Sequence, residues 1–68
     1  MNEYDANSFV SDVIAAKILS VGVQSLRNWR HRRTGPPYCK RGTLVRYLVK
    51  DLLDYMCAGR IDPEAREG

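Results

Sequence analysis

Val23-Gln24-Ser25-Leu26-Arg27-Asn28-Trp29-Arg30-His31-Arg32-Arg33 is the stretch on which the fold turns. Wound as a helix at about 100° per residue, it puts Val23, Leu26 and Trp29 on one stripe and Gln24, Arg27, Asn28, His31 and Arg32 on the opposite face. The apolar stripe predicts an anchor in a core. The polar face carries side chains whose hydrogen-bonding groups match base edges: Arg pairs with guanine, Asn and Gln pair with adenine, and a helix fits the major groove of duplex DNA. A solvated basic face would show the same pattern, so the reading depends on what flanks the stretch.

On the N-terminal side, Ser20-Val21-Gly22 breaks an earlier apolar pattern for three residues, the length of the turn in a helix-turn-helix. Val21 is placed to plug the inside of the corner, and Gly22 to cap the second helix. Ahead of the turn, Ser11 is the expected N-cap of a helix over Asp12–Leu19, with Asp12 in its first turn favoured by the helix dipole. Ala15, Ala16 and Leu19 share one face, and two alanines let another helix approach closely. Ile14 and Ile18 form a second apolar pair one turn apart, covered by a third helix or the N-terminal segment, or contacting another chain. Residues 1–8 are polar and aperiodic and read as a flexible N-terminal arm, with Tyr4 or Phe9 able to fold back.

On the C-terminal side, Thr34-Gly35-Pro36-Pro37 ends the helix, Gly35 by taking a left-handed conformation and the prolines by forbidding continuation. Tyr38-Cys39-Lys40 and Thr43-Leu44-Val45-Arg46-Tyr47 then flank Arg41-Gly42 as a β-hairpin with a basic tip of Lys40, Arg41 and Arg46, Thr43 adding a hydroxyl donor. Such a tip reaches phosphates or an adjacent minor groove, although an ordinary surface hairpin also carries solubilising charge. Residues 49–58 form an amphipathic helix. Val49, Leu52, Leu53 and Met56 are expected on its core stripe with Tyr55 at the edge, and Gly59 is its expected stop. The domain is thus expected over residues 9–58, followed by a flexible tail at residues 59–68.

Charge separates along the chain. Residues 13–50 contain no Asp or Glu but hold Lys17, Arg27, Arg30, Arg32, Arg33, Lys40, Arg41, Arg46 and Lys50, nine positive charges, while the ends carry eight acids against two arginines. A polyanion is therefore the expected partner of the middle, through steering and counterion release. An anionic membrane suits it poorly, because Gly-Pro-Pro interrupts the block and no long amphipathic helix is present.

Composition excludes other classes. A chain of 68 residues buries only about 60% of its unfolded surface, which leaves little room for an enzymatic cleft. No Ser/His/Asp set, paired core carboxylates or phosphate-binding glycine loop is present, so no enzyme and no cofactor are expected. Cys39 and Cys57 lack Cys-x-x-Cys spacing, and with the single His31 they do not make a four-ligand zinc site, so no metal is expected and both are read as reduced thiols. No apolar run reaches the roughly 20 residues of a membrane span, and the acidic start lacks the basic beginning of a signal peptide. A cytoplasmic location is expected.

Residues 11–56 resemble the small winged helix-turn-helix proteins of the excisionase family, grouped with MerR-like and AlpA-type prophage regulators. The resemblance rests on Ala15-Ala16 and Leu19, Val21 at the turn, Ser25-Leu26-Arg27 and Trp29-Arg30, Gly35-Pro36-Pro37-Tyr38, Val45-Arg46-Tyr47, Asp51-Leu52 and Tyr55-Met56. The family usually has an acidic residue at Ile14 and Ser or Thr at Gly22. The resemblance implies a mainly α fold of three helices plus a two-stranded wing. It further implies a DNA-binding protein of a mobile element that acts as a recombination directionality factor, as a transcription regulator of integrase genes, or as both. Such a factor bends DNA beside an attachment site, contacts an integrase and fills repeated sites cooperatively.

Joining the two lines of reading, Gln24, Ser25, Arg27, Asn28 and His31 would enter the major groove of double-stranded DNA. Arg30, Arg32, Arg33, Lys40, Arg41, Thr43 and Arg46 would hold the backbone or adjacent minor groove. The shortness of the chain favours the directionality role over that of a transcription regulator using the same surface. A protein-only adaptor using Ile14, Ile18 and the tail fits the acid-free middle poorly.

Overall fold

The computed structural model describes residues 4–61. The elements are β1 (Phe9–Val10), α1 (Asp12–Leu19), α2 (Val23–His31), β2 (Cys39–Arg41), β3 (Leu44–Leu48) and α3 (Val49–Ala58). This is a mainly helical domain of three helices and a small antiparallel sheet, as expected of a winged helix-turn-helix.

The sheet has three strands in the order β1-β3-β2, one more than the two-stranded wing expected. Phe9 pairs with Leu48 and Val10 with Tyr47, so the residues leading into α1 close the open edge of the wing's return strand. Two residues are too few to show a period-two pattern, which is why the sequence gives no strand signal there. The preceding backbone has a second task. The carbonyls of Ser8 and Ala6 accept hydrogen bonds from the N–H groups of Val49 and Lys50 at 3.0 and 2.9 Å. Helix α3 has Leu48 at its N-cap and no side-chain cap, so these carbonyls satisfy donors that a helix otherwise leaves open. The outermost parts of the expected arm and tail, residues 1–3 and 62–68, lie outside the described residues.

Helix α1 starts as expected, with Ile14 N–H donating to Ser11 Oγ at 3.4 Å. It ends on Ser20 with φ 59°, and Val21 N–H reaches back to the Ala16 carbonyl at 3.0 Å, a bond of the Schellman type. Helix α2 ends in the same manner and two residues earlier than the stretch 23–33 suggests. Arg33 takes φ 62° and Thr34 N–H donates to the Trp29 carbonyl at 2.8 Å. Arg32 and Arg33 therefore project from a turn rather than a helix. Gly35 is left-handed, at φ 84°, but its task is close approach: a Cβ there would sit 3.0 Å from Trp29 Cε3.

The core consists of Val10, Ala15, Ala16, Leu19, Leu26, Tyr47, Val49 and Leu52. Ala15 and Ala16 are buried between the elements, and Ile14, Ile18, Val21, Val23 and Trp29 pack around them. Val21 packs against the core at the corner, as expected of it, and Ile14 and Ile18 are partly buried against the same core. The expected core stripe of α3 is too wide. Leu53 is 41% and Met56 54% exposed, because α3 lies against α1 and β3 alone among its larger contacts, and those two short elements cover only Val49 and Leu52 fully. The hairpin turn also shifts by one residue. Arg41 pairs with Leu44, leaving Gly42-Thr43 as the loop. Only Gly42 has a positive φ, 61°, the pattern of a type II′ turn, which asks for glycine at its first central position.

Candidate nucleic-acid interface

Burial of Leu26 and partial burial of Val23 and Trp29 fix the rotation of α2 about its own axis. The opposite face is consequently solvent-facing: Gln24, Ser25, Arg27, Asn28 and His31 are all exposed. Gln24 Nε2 donates to Asn28 Oδ1 at 3.3 Å, one turn along, so these two amides form a coupled pair.

The wing is held beside this face by an aromatic and cationic cluster. Arg30 lies over the Tyr38 ring at 5.7 Å from its centroid, and the Tyr38 and Tyr47 rings stand 5.9 Å apart. Arg30 Nη1 donates to the hydroxyl of Tyr47 at 3.3 Å. Tyr47 is buried and its hydroxyl would otherwise lack this partner, so Arg30 ties α2 to β3 from within. Arg30 is accordingly half-buried, unlike the other cations of the helix.

Between α2 and the wing lies an open, polar cleft of about 470 Å³, lined by Gln24, Arg27, Asn28, Arg30, His31, Tyr38 and Lys40. It brings together four of the five expected groove residues with Arg30 and Lys40 of the expected backbone set. Ser25 lies outside it on the helix face. Arg32 and Arg33 follow the end of α2, Arg41 and Thr43 occupy the hairpin tip, and Arg46 folds back so that Nη1 donates to the carbonyl of Val45 at 2.8 Å.

The positive field is less uniform than the sequence suggests. Lys50 is bound to Asp54 at 2.9 Å. Arg27 Nε donates to Asp12 Oδ2 at 2.8 Å, and Arg30 Nη1 lies 3.8 Å from the same oxygen. The hydrogen bond from Arg27 holds the Asp12 carboxyl below its ordinary value, against partial burial that acts in the other direction. Arg32, Arg33, Lys40 and Arg41 form no ion pair among the described residues. Asp12 and Tyr38 thus belong to the site without having been assigned to it. Asp12 offered only a helix-dipole signal, since its partner is distant in the chain. Cys39 and Cys57 are both exposed, free thiols. Among the described residues, no helix is long and apolar enough to cross a membrane.

Two helices joined by a tight turn, with a basic hairpin beside the second, define a winged helix-turn-helix, a class of domain built to present one helix to duplex DNA. The chain belongs to the helix-turn-helix domain family, whose match spans residues 15–60. That family includes excisionase-like and AlpA-like regulators, and its fold supports DNA binding. No curated protein and no solved structure matches the chain.

Proposed function

We propose that this protein is an excisionase, a recombination directionality factor that binds and bends DNA beside an attachment site and promotes integrase-mediated excision of a mobile element. The observation that carries the DNA-facing part is the cleft in which Gln24, Arg27, Asn28 and His31 of α2 meet Lys40 of the wing. With α2 in the major groove, Gln24, Ser25, Arg27, Asn28 and His31 face base edges. Lys40, Arg41 and Thr43 of the wing, with Arg32 and Arg33, reach phosphates or the neighbouring minor groove. Arg30, which also borders the cleft, and Arg46 add charge for the backbone, and Arg30 braces the wing as well.

A single module of this size covers about 600–1,000 Å² of its own surface on DNA, which gives modest specificity alone. Cooperative occupation of repeated sites by several copies supplies the remainder, and bending follows from their side-by-side placement. Leu53 and Met56 of α3 are apolar and exposed where the neighbouring elements stop covering the helix, and they leave room for protein contacts, the integrase among them. The site of action is the bacterial nucleoid, in the cytoplasm.

Excision in the presence of the cognate integrase and its attachment sites, measured with and without this protein alongside a gel shift on the flanking DNA, tests the proposal. Excision that depends on the protein, with cooperative filling of repeats, is the expected result. Binding without any effect on excision would contradict it and assign the same surface to transcriptional regulation of mobile-element genes.

A further inference from the structure

One side chain on the exposed face of α2 has its direction set from outside the helix. Asp12 follows the N-cap Ser11, in the first turn of a helix whose inner face, Ala15, Ala16 and Leu19, is buried. Its carboxylate is short and firmly rooted. Oδ2 accepts the Nε–H of Arg27 at 2.8 Å, and the Arg27 side chain remains 44% exposed. A free arginine on a helix surface samples many rotamers, each of which must be abandoned on binding. With Nε engaged, fewer orientations of the guanidinium plane remain open. Nη1 and Nη2 make no other hydrogen bond among the described residues, and Arg27 borders the cleft beside Gln24, Asn28 and His31.

We propose that Asp12 is a specificity-determining positioning residue: it holds Arg27 with both terminal nitrogens presented to a guanine, so that the pair reads a G·C base pair in the major groove. O6 and N7 of guanine accept two parallel N–H donors, which the Nη pair supplies once its plane is set. The inference rests on the DNA-binding reading above. It carries a consequence that a purely structural ion pair does not. Asp12 is a negative charge on the DNA-facing side, so it opposes binding to phosphate in general while sharpening the choice of base. Its removal should therefore move affinity and specificity in opposite directions.

Site selection from a randomised duplex pool, with wild type, Asp12→Ala and Arg27→Ala, reads base preference. Titration of a duplex lacking the selected site reads general affinity. The wild type is expected to prefer guanine at one position by about fivefold or more. Arg27→Ala abolishes that preference. Asp12→Ala reduces it by at least about threefold, the loss of one orienting hydrogen bond, and binds the unrelated duplex as tightly as wild type or more so. Asp12→Asn, which keeps the shape, should show the same direction and serves if Asp12→Ala does not fold. Wild-type guanine preference in both Asp12 variants would overturn the inference, as would a selected site with no position sensitive to Arg27→Ala; in either case DNA binding itself stands. Failure of wild type to retain any duplex would instead remove the reading beneath it, and the inference with it.

Discussion

Asp12 and Arg27 are 15 positions apart in the chain and 2.8 Å apart in space, and the contact ties the first helix of the corner to the second. Because the hydrogen bond from Arg27 lowers the Asp12 carboxyl in the folded protein, the ionised form is the one that folding favours. Its stabilising contribution is complete above the unfolded value near 3.8 and is lost as pH falls through the lower folded value. The thermal midpoint of Asp12→Asn should thus lie below that of wild type at neutral pH, and the gap should narrow as pH is lowered below 3.8. A gap independent of pH would mean that the pair adds nothing electrostatic. Gly35 makes a second local demand. An Ala there must hold a φ of 84° and place Cβ 3.0 Å from Trp29 Cε3. Left-handed backbone alone costs about 1–2 kcal/mol, so Gly35→Ala should lower the midpoint in thermal unfolding. An unchanged midpoint would show that the loop relaxes around the added carbon.

The elements differ in how plainly the sequence announces them. Ser11, the paired alanines and the Leu19 end of α1 are local signals, and Asp12–Leu19 could be read from them residue by residue. The same holds for Val49–Ala58. What resisted reading depends on contacts distant in the chain. Strand β1 exists because Val10 meets Tyr47 and Phe9 meets Leu48, and nothing within two residues encodes that pairing. Leu53 and Met56 have the right period for a core stripe, yet burial depends on what covers α3. The end of α2 was also obscured, because its left-handed position falls on Arg33 rather than on glycine; α1 likewise closes on a left-handed residue, Ser20. Ser20 is exposed, and its hydroxyl is not needed for the backbone bonds of the turn. Ser20→Gly should therefore stabilise the domain by up to about 1 kcal/mol, read as a raised thermal midpoint. A lowered midpoint would point to a role for the Ser20 side chain.

Over the whole molecule, the fold turns a sequence-level excess of charge into a surface with direction. The exposed polar side of α2 and Lys40 of the wing converge on one cleft, while Lys50 is neutralised by Asp54 on α3. The candidate residues were legible because residue type and helical period suffice to place them on one face. The internal bracing by Arg30, Tyr38 and Tyr47 was not, because it exists only once the wing is folded against α2. Arg41 at the hairpin tip has no such structural task, so Arg41→Ala should weaken binding about equally on every duplex and reduce the slope of affinity against salt by about one. An unchanged slope would place the wing away from phosphate. The central claim is that duplex DNA meets α2 and the wing together, and amide chemical-shift mapping of the labelled protein during titration with duplex DNA tests it most directly. The account predicts that shifts concentrate at residues 24–33 and 40–43 and leave the amides of Leu53 and Met56 unmoved. Shifts centred on α3, with the amides of Arg27 and Lys40 silent, would contradict it.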